Sequence, residues 1–266
     1  MSERPLILVT NDDGINAPGI RAVIEAVQPL GDVVVVAPNK PQSGMGHAIT
    51  VHEPIFLKQS NSKFFTELGV EAWSCSGTPV DCVKLARDKI LKRRPDVCVS
   101  GINHGSNASI NVIYSGTMSA AMEGAIEGIP SVGFSLMDFS MTADFTAARF
   151  YARLIVQKML EDSLPAGTLF NVNIPIGTID DIKGVKLCRQ ADAKWVEEFD
   201  ERTNPHGRKY YWLTGNFENN DTDPNSDVMA LSEGWISLVP VRFDLTDSRM
   251  LARLQSSGFV KSLTLD

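Results

Sequence analysis

Two aspartates stand side by side, Asp12 and Asp13, in the stretch LILVTNDDGINAPGI that runs from Leu6 to Ile20. Carboxylates about 4 Å apart repel by roughly 1 kcal/mol in water and by about 4 kcal/mol at the effective dielectric of a partly buried site. A bound divalent cation is the simplest compensation. The plainer reading makes Asp12 and Asp13 turn formers and a helix N-cap, since Asp and Gly are common in both settings. Further on, Ser43 lies in the loop PNKPQSGMG and Asn103 just after the run DVCVS. Carboxylate, hydroxyl and amide oxygens together form a hard-oxygen set, suited to Mg2+, Mn2+ or Ca2+ rather than structural zinc. Ser115, Gly116 and Thr117 offer hydroxyls and backbone N–H groups at a helix start, either as a plain cap or as an anion site beside the metal. His104, next to Asn103, reads as a proton donor or as a packing residue, with packing the expected role, and His47 is read the same way. Trp73, Trp195, Trp212 and Trp235 are expected in the core or an interface rather than as base-stacking platforms.

These residues need elements to bring them together. Leu6 to Thr10 has the composition of a strand buried on both faces, and Pro18 opens a helix in which Ile20, Val23, Ile24 and Val27 recur at helical spacing. Asp32 to Ala37 is a second buried strand, so the order is β-α-β with a right-handed parallel crossover. Residues 49–73 read as a hairpin excursion of two short strands. Thr78 caps a helix that starts at Pro79 and runs to about Lys92, and Asp96 to Ser100 is a third short strand entering the loop GINHGSNASINV. The spacing then predicts a small-residue helix over 114–128, strands at 130–136 and 169–174, and a long helix over 143–160 between them. From about Gly184 to Asn225, aromatic runs such as KYYWL alternate with polar turns, as in a protruding β extension. A strand at 235–239 and a helix at 247–258 close the chain. The expected fold is α/β, three-layer and Rossmann-like, with a mostly parallel sheet between helices. In such sheets ligands bind beyond the carboxyl ends of the strands, where Asp12, Asp13, Ser43 and Asn103 would meet.

With 266 residues, 43% of them hydrophobic, the chain can fill a sizeable core. A net charge of -7 disfavours a nucleic-acid polymer as partner. The N-terminal segment lacks the features of a signal peptide and no apolar run has membrane-spanning length, so a cytoplasmic protein without a membrane partner is expected. The four cysteines, Cys75, Cys82, Cys98 and Cys188, lack paired metal-ligand spacing and read as reduced core residues.

The strings VTNDDGINAPGI, VVAPNKPQSGMGHAIT, SGTPVDCV, RRPDVCVSGINHGSN, VIYSGTMSAAMEG and FNVNIP resemble, in this order, the signature segments of the SurE family of survival nucleotidases. The likeness continues through GRKYYWLTG and NSDVMALSEGWISLVP. It implies a single α/β domain over 1–266, with residues 184–225 used in oligomerisation to a homodimer or homotetramer. It also implies one divalent metal ion per subunit, Mg2+ or Mn2+, held by Asp12, Asp13, Ser43 and Asn103. Asn11, Gly44, Ser106, Asn107, Ser115, Gly116 and Thr117 would surround the phosphate. Gln42 replaces an Arg common in the family, and Ile110 and Asn111 stand where many relatives carry acidic residues.

The implied enzyme is a 5′-nucleotidase, an acid-phosphatase-like phosphoric monoester hydrolase. It would convert nucleoside 5′- and 3′-monophosphates, and short polyphosphates, to free phosphate. The expected nucleophile is a water activated by the metal, attacking phosphorus in line, with Asp12 and Asp13 as the catalytic carboxylates. Three rivals are weighed. A phosphoacceptor receiver module needs an Asp at the end of a later strand, where this chain has Ser100-Gly101-Ile102-Asn103. A dinucleotide oxidoreductase needs a Gly-rich first turn, and here that turn is acidic. A non-catalytic nucleotide-binding protein would share the same site.

Overall fold

In strand β1 (Leu6–Thr10), Ile7 and Val9 point to one face and Leu6 and Leu8 to the other, and all four are buried. Alternation on two apolar faces requires helices on both sides of the sheet. The computed structural model describes residues 4–140, 142–162, 164–259 and 263. Helix α1 (Pro18–Val27) follows β1, with Pro18 at its first turn and Ile20, Val23, Ile24 and Val27 on its buried stripe. Strand β2 (Asp32–Pro38) then pairs parallel with β1.

The next segment differs from the expected hairpin. Of residues 49–73, only β3 (Leu57–Gln59) and β4 (Glu71–Cys75) are strands, and Lys63–Leu68 between them forms helix α2. Phe65 at the centre of this turn is buried, and Gly69 ends the helix in the left-handed region at φ 65°. One aromatic anchor and a glycine cap thus outweigh the β propensity of the FF pair. Strand β4 pairs antiparallel with β3 and parallel with β2.

Helix α3 (Pro79–Leu85) has the predicted Thr78 cap, closed into a capping box by Asp81, and ends in a π-helical turn over Ala86–Ile90. Strand β5 (Val97–His104) is longer than expected. After a shift in its register with the next strand it continues through Asn103 and His104, which therefore belong to the strand end rather than to the loop. A short turn of helix, α4 (Asn111–Tyr114), precedes α5 (Gly116–Ile126), whose Ser119, Ala120, Ala121 and Ala125 are all buried. Strand β6 (Ser131–Leu136), helix α6 (Thr146–Glu161) and strand β7 (Leu169–Ile174) complete the parallel part of the sheet.

Beyond β7 the alternation stops, as the sequence indicates. Val185–Leu187 (β8) joins the main sheet beside β11 (Ile236–Pro240), and β11 runs antiparallel to β7. Between them, β9 (Ala193–Thr203) and β10 (Lys209–Asn219) form a separate antiparallel arm, followed by helix α7 (Asp227–Ser232). The extension proper is thus 193–219, shorter than 184–225 because β8 is claimed by the sheet. Helix α8 (Ser248–Ser257) has no buried residue.

Among the described residues the main sheet has the order β3-β4-β2-β1-β5-β6-β7-β11-β8. Helices α1 and α6 cover one face, and α3 and α5 the other. The three-layer, mostly parallel architecture is the one expected. From β1 the chain first builds outward through β2 and β4, then returns to build through β5, β6 and β7 on the other side. The carboxyl ends of β1 and β5 therefore flank the topological switch point, where this class of sheet opens a crevice. No helix of the described residues is long and apolar enough to cross a membrane.

Candidate active site

The turn after β1 is closed by its own side chain. Asn11 Nδ2 donates to the Gly14 carbonyl at 3.0 Å, and the Gly14 N–H donates back to Asn11 Oδ1 at 3.2 Å. Gly14 has φ 99°, a conformation that favours glycine. The closed turn directs Asp12 into the crevice, where it is 4% exposed. The carbonyl of Asp12 in turn accepts from the Gln42 N–H at 2.8 Å, which brings the adjacent Ser43 and Gly44 to the same place. Ser43 reaches the site through a backbone tether that its side-chain type could not reveal.

Behind Asp12 lies the start of α5. Ser115 caps the helix by accepting from the Met118 N–H, and the Thr117 hydroxyl donates to Asp12 Oδ1. Gly116 packs on the same carboxylate, so a Cβ there would come within 2.6 Å of Asp12 Cβ and 2.8 Å of Oδ2. Asn103 uses Nδ2 on the carbonyls of His104 and Gly105, at 3.1 and 2.9 Å. Its Oδ1 is left as the atom it can offer to the cavity it lines.

The electrostatics of the aspartate pair are unfavourable as they stand. Burial, with help from the charge of Asp13, pushes the Asp12 carboxyl from 3.8 to about 6, against the opposing pull of Thr117. Burial also raises Asp13, partly countered by His104 through its charge and its backbone N–H. Asp13 Oδ2 is buried and has no hydrogen-bond partner among the described residues. A buried carboxylate oxygen without a donor, next to a second carboxylate, calls for a cation. With Ser43 and Asn103 on the same cavity, the donor chemistry fits a hard divalent ion. Among the described residues no three His, Cys, Asp or Glu cluster in a way that could hold a metal, so such an ion would depend on the Ser and Asn oxygens as well.

The cavity has a volume of about 510 Å3 and is lined by Asp12, Asp13, Ser43, Gly44, Asn103, Ser106, Asn107 and Ser115 among others. The expected residues Asn11, Gly116 and Thr117 do not line it. Asn11 holds the turn, while Gly116 and Thr117 contact Asp12 from behind. His104 does line it, and its ring packs edge-on to Phe145 at 5.1 Å with both nitrogens buried and unpartnered among the described residues.

Sequence reasoning missed the support under the Ser106–Asn107 loop. Asn173 Oδ1 accepts from the Asn107 N–H at 2.7 Å and from Ser106 Oγ at 3.3 Å, and Asn173 Nδ2 donates to Asn171 Oδ1. Asn171 Nδ2 donates to the Asn107 carbonyl, and Asn107 Nδ2 to Ser135 Oγ. The signal was present in FNVNIP, where two amides spaced by two share one face of a buried strand. A second miss is Trp195. It is not in the core but on the wall of the cavity, with Tyr114, Phe139 and Phe217, because the base of the arm folds over the site. No pattern local to residue 195 encodes that approach.

Comparison with known proteins agrees with this geometry. The family model described as survival protein SurE matches residues 7–197. A protein named 5′-nucleotidase SurE from Christiangramia forsetii is 58% identical over 96% of this chain and 97% of its own length. Its namesake from Flavobacterium johnsoniae is 56% identical with the same coverage. Among solved structures, the SurE protein from Aquifex aeolicus superposes with a TM-score of 0.81 at 36% identity, covering 97% of this chain and all of that one. With the family model matched over residues 7–197 and relatives more than half identical over 96% of its length, the chain belongs to the survival protein SurE family.

Proposed function

We propose that this protein is a divalent-metal-dependent phosphomonoesterase that releases phosphate from nucleoside 5′-monophosphates, and also from 3′-monophosphates and short polyphosphates. The observation that carries the reading is the Asp12–Asp13 pair, Asp12 buried and Asp13 Oδ2 buried without a partner among the described residues, facing a cavity shared with Ser43 and Asn103. The names of the relatives, 5′-nucleotidase SurE, support the reaction class.

Asp12, Asp13, Ser43 and Asn103 would hold one Mg2+ or Mn2+ ion per subunit. Such an ion supplies Lewis acidity toward a phosphoryl oxygen and makes a nearby water more acidic. Thr117 and Gly116 keep Asp12 in one rotamer, so the carboxylate is positioned before substrate arrives. Ser106, Asn107, Gly44 and Ser115 would surround the phosphoryl group, and the start of α5 would meet its charge with backbone N–H groups. One carboxylate of the pair would also orient the attacking water and accept its proton. The ladder of Asn171 and Asn173 holds the Ser106–Asn107 loop in place.

The same reading takes 1–266 as one domain that assembles as a homodimer or homotetramer through its arm. Isolated two-stranded ribbons are marginal in water, and this one exposes Phe199, Tyr211, Trp212 and Leu213. A Phe199→Glu, Trp212→Glu pair should reduce the sedimenting mass to that of a monomer. Four buried free cysteines accord with a cytoplasmic setting.

The deciding experiment is phosphate release from a panel of nucleoside 5′- and 3′-monophosphates and tripolyphosphate, by chelator-treated protein with and without added Mg2+ or Mn2+. Metal-dependent release is expected. A folded protein that releases no phosphate from any of them with metal, or that releases it equally under chelation, overturns the reading.

A further inference from the structure

The cavity has a mixed lining. Asp12, Asp13 and Asn103 share it with four aromatic residues, Tyr114, Phe139, Trp195 and Phe217. Trp195 is the best held of these. Its indole Nε1 donates to Asn111 Oδ1 at 2.8 Å, and its ring meets Phe217 edge-to-face with centroids 5.6 Å apart at 63°. Two residues earlier, Ala193 is pinned by Ser109, whose Oγ donates to the Ala193 carbonyl at 2.8 Å and accepts from its N–H at 3.2 Å. Even so, Trp195 remains 44% exposed. A large ring whose polar atom is satisfied, which packs on one aromatic neighbour and which keeps nearly half its surface exposed can serve as a preformed stacking surface.

Resting on the nucleotidase reading, we propose that Trp195 is the stacking face of a nucleobase subsite, so that the arm supplies specificity to the reaction carried out at the aspartate pair. A ligand suited to both kinds of lining carries a phosphate and a flat unsaturated ring. Sugar phosphates lack the ring. Recognition by stacking tolerates every base, because each has a π-face, and it favours purines for their larger area. The one amide bonded to the indole, Asn111, already spends its Oδ1 on Trp195 and so orients the platform rather than reading the base edge.

The test compares AMP with ribose 5-phosphate, which keeps the phosphate and the sugar but lacks the base. Trp195→Ala should lower kcat/KM for AMP about tenfold, mainly through KM, and change that for ribose 5-phosphate by less than about twofold. Trp195→Phe should recover most of the loss. An equal loss on both substrates would make Trp195 a mere support of the loop, and no loss on AMP would remove it from the site; either result overturns the proposal. Calorimetric titration with adenosine, which has no phosphate, separates this idea from the nucleotidase reading. Binding by the wild type that Trp195→Ala abolishes upholds the subsite even if no phosphate is released from any substrate, and unchanged binding in the variant refutes it.

Discussion

Replacing Asp12 with Asn should make the metal-free protein more stable at neutral pH while abolishing its activity. A carboxyl whose pKa rises from 3.8 in the open chain to about 6 when folded destabilises the fold on ionising. The difference corresponds to about 3 kcal/mol. The sign follows from proton counting: between those two values the folded state binds more protons than the unfolded one. Stability from this group is thus fully present below about pH 4 and is lost as pH rises through about 6. Asn keeps an oxygen to accept from the Thr117 hydroxyl but carries no charge, so it escapes the loss. The assay is urea unfolding in chelator at about pH 5 and about pH 8. At the higher pH the variant midpoint should lie roughly 1 M above wild type, a gap that narrows at the lower pH. Added Mg2+ or Mn2+ should raise the wild-type midpoint and leave the variant nearly unchanged, since ligand binding stabilises only the form that can bind it. A variant less stable than wild type at both pH values, or a wild-type midpoint indifferent to metal, would refute the argument that the buried pair is arranged for a cation.

Gly116→Ala should reduce turnover by about a hundredfold and lower stability by about 1–3 kcal/mol, because its Cβ would press on the buried Asp12 and displace the carboxylate; phosphate-release kinetics and thermal melting check the two halves. Asn173→Ala strands the buried Asn107 N–H and should cost about 1–3 kcal/mol, seen as a fall of several degrees in Tm together with a higher KM. Glu123, on α5, is raised by its burial, but His47 and Lys84 outweigh this and hold it below the usual carboxylate range. Its contribution is therefore present above the ordinary Glu value and lost as pH falls through the depressed one. Glu123→Gln should destabilise the protein at neutral pH and converge with wild type in acid, as followed by denaturant midpoints.

Much of this was legible along the chain because it is local. The β1 strand, the acidic turn, the Thr78 cap and the small-residue face of α5 follow from periodicity, from Pro and Gly placement, and from side chains that bond their own backbone, whereas the choice of Ser115 over Thr117 as the α5 cap did not. Two features misled. The FF pair at Phe64–Phe65 has strand propensity but folds as a helix, since Phe65 finds a buried place only that way. Asn103 follows the predicted end of its strand, yet the strand continues past it once the register with β6 shifts.

By itself the sequence determined that two carboxylates would sit at the end of a buried strand, and that hydroxyl and amide oxygens would follow later strands. These are properties of segments a few residues long, governed by backbone sterics and side-chain polarity. Only the tertiary structure decided that Gln42 would tether Ser43 to Asp12, that Thr117 would clamp that carboxylate, and that Trp195 would face the cavity. Each joins residues far apart in the chain, and such contacts follow from how the sheet is ordered and where the arm folds back. Burial supplies the rest, because two neighbouring aspartates become a candidate metal site only when the fold removes them from water and leaves Asp13 Oδ2 without a donor.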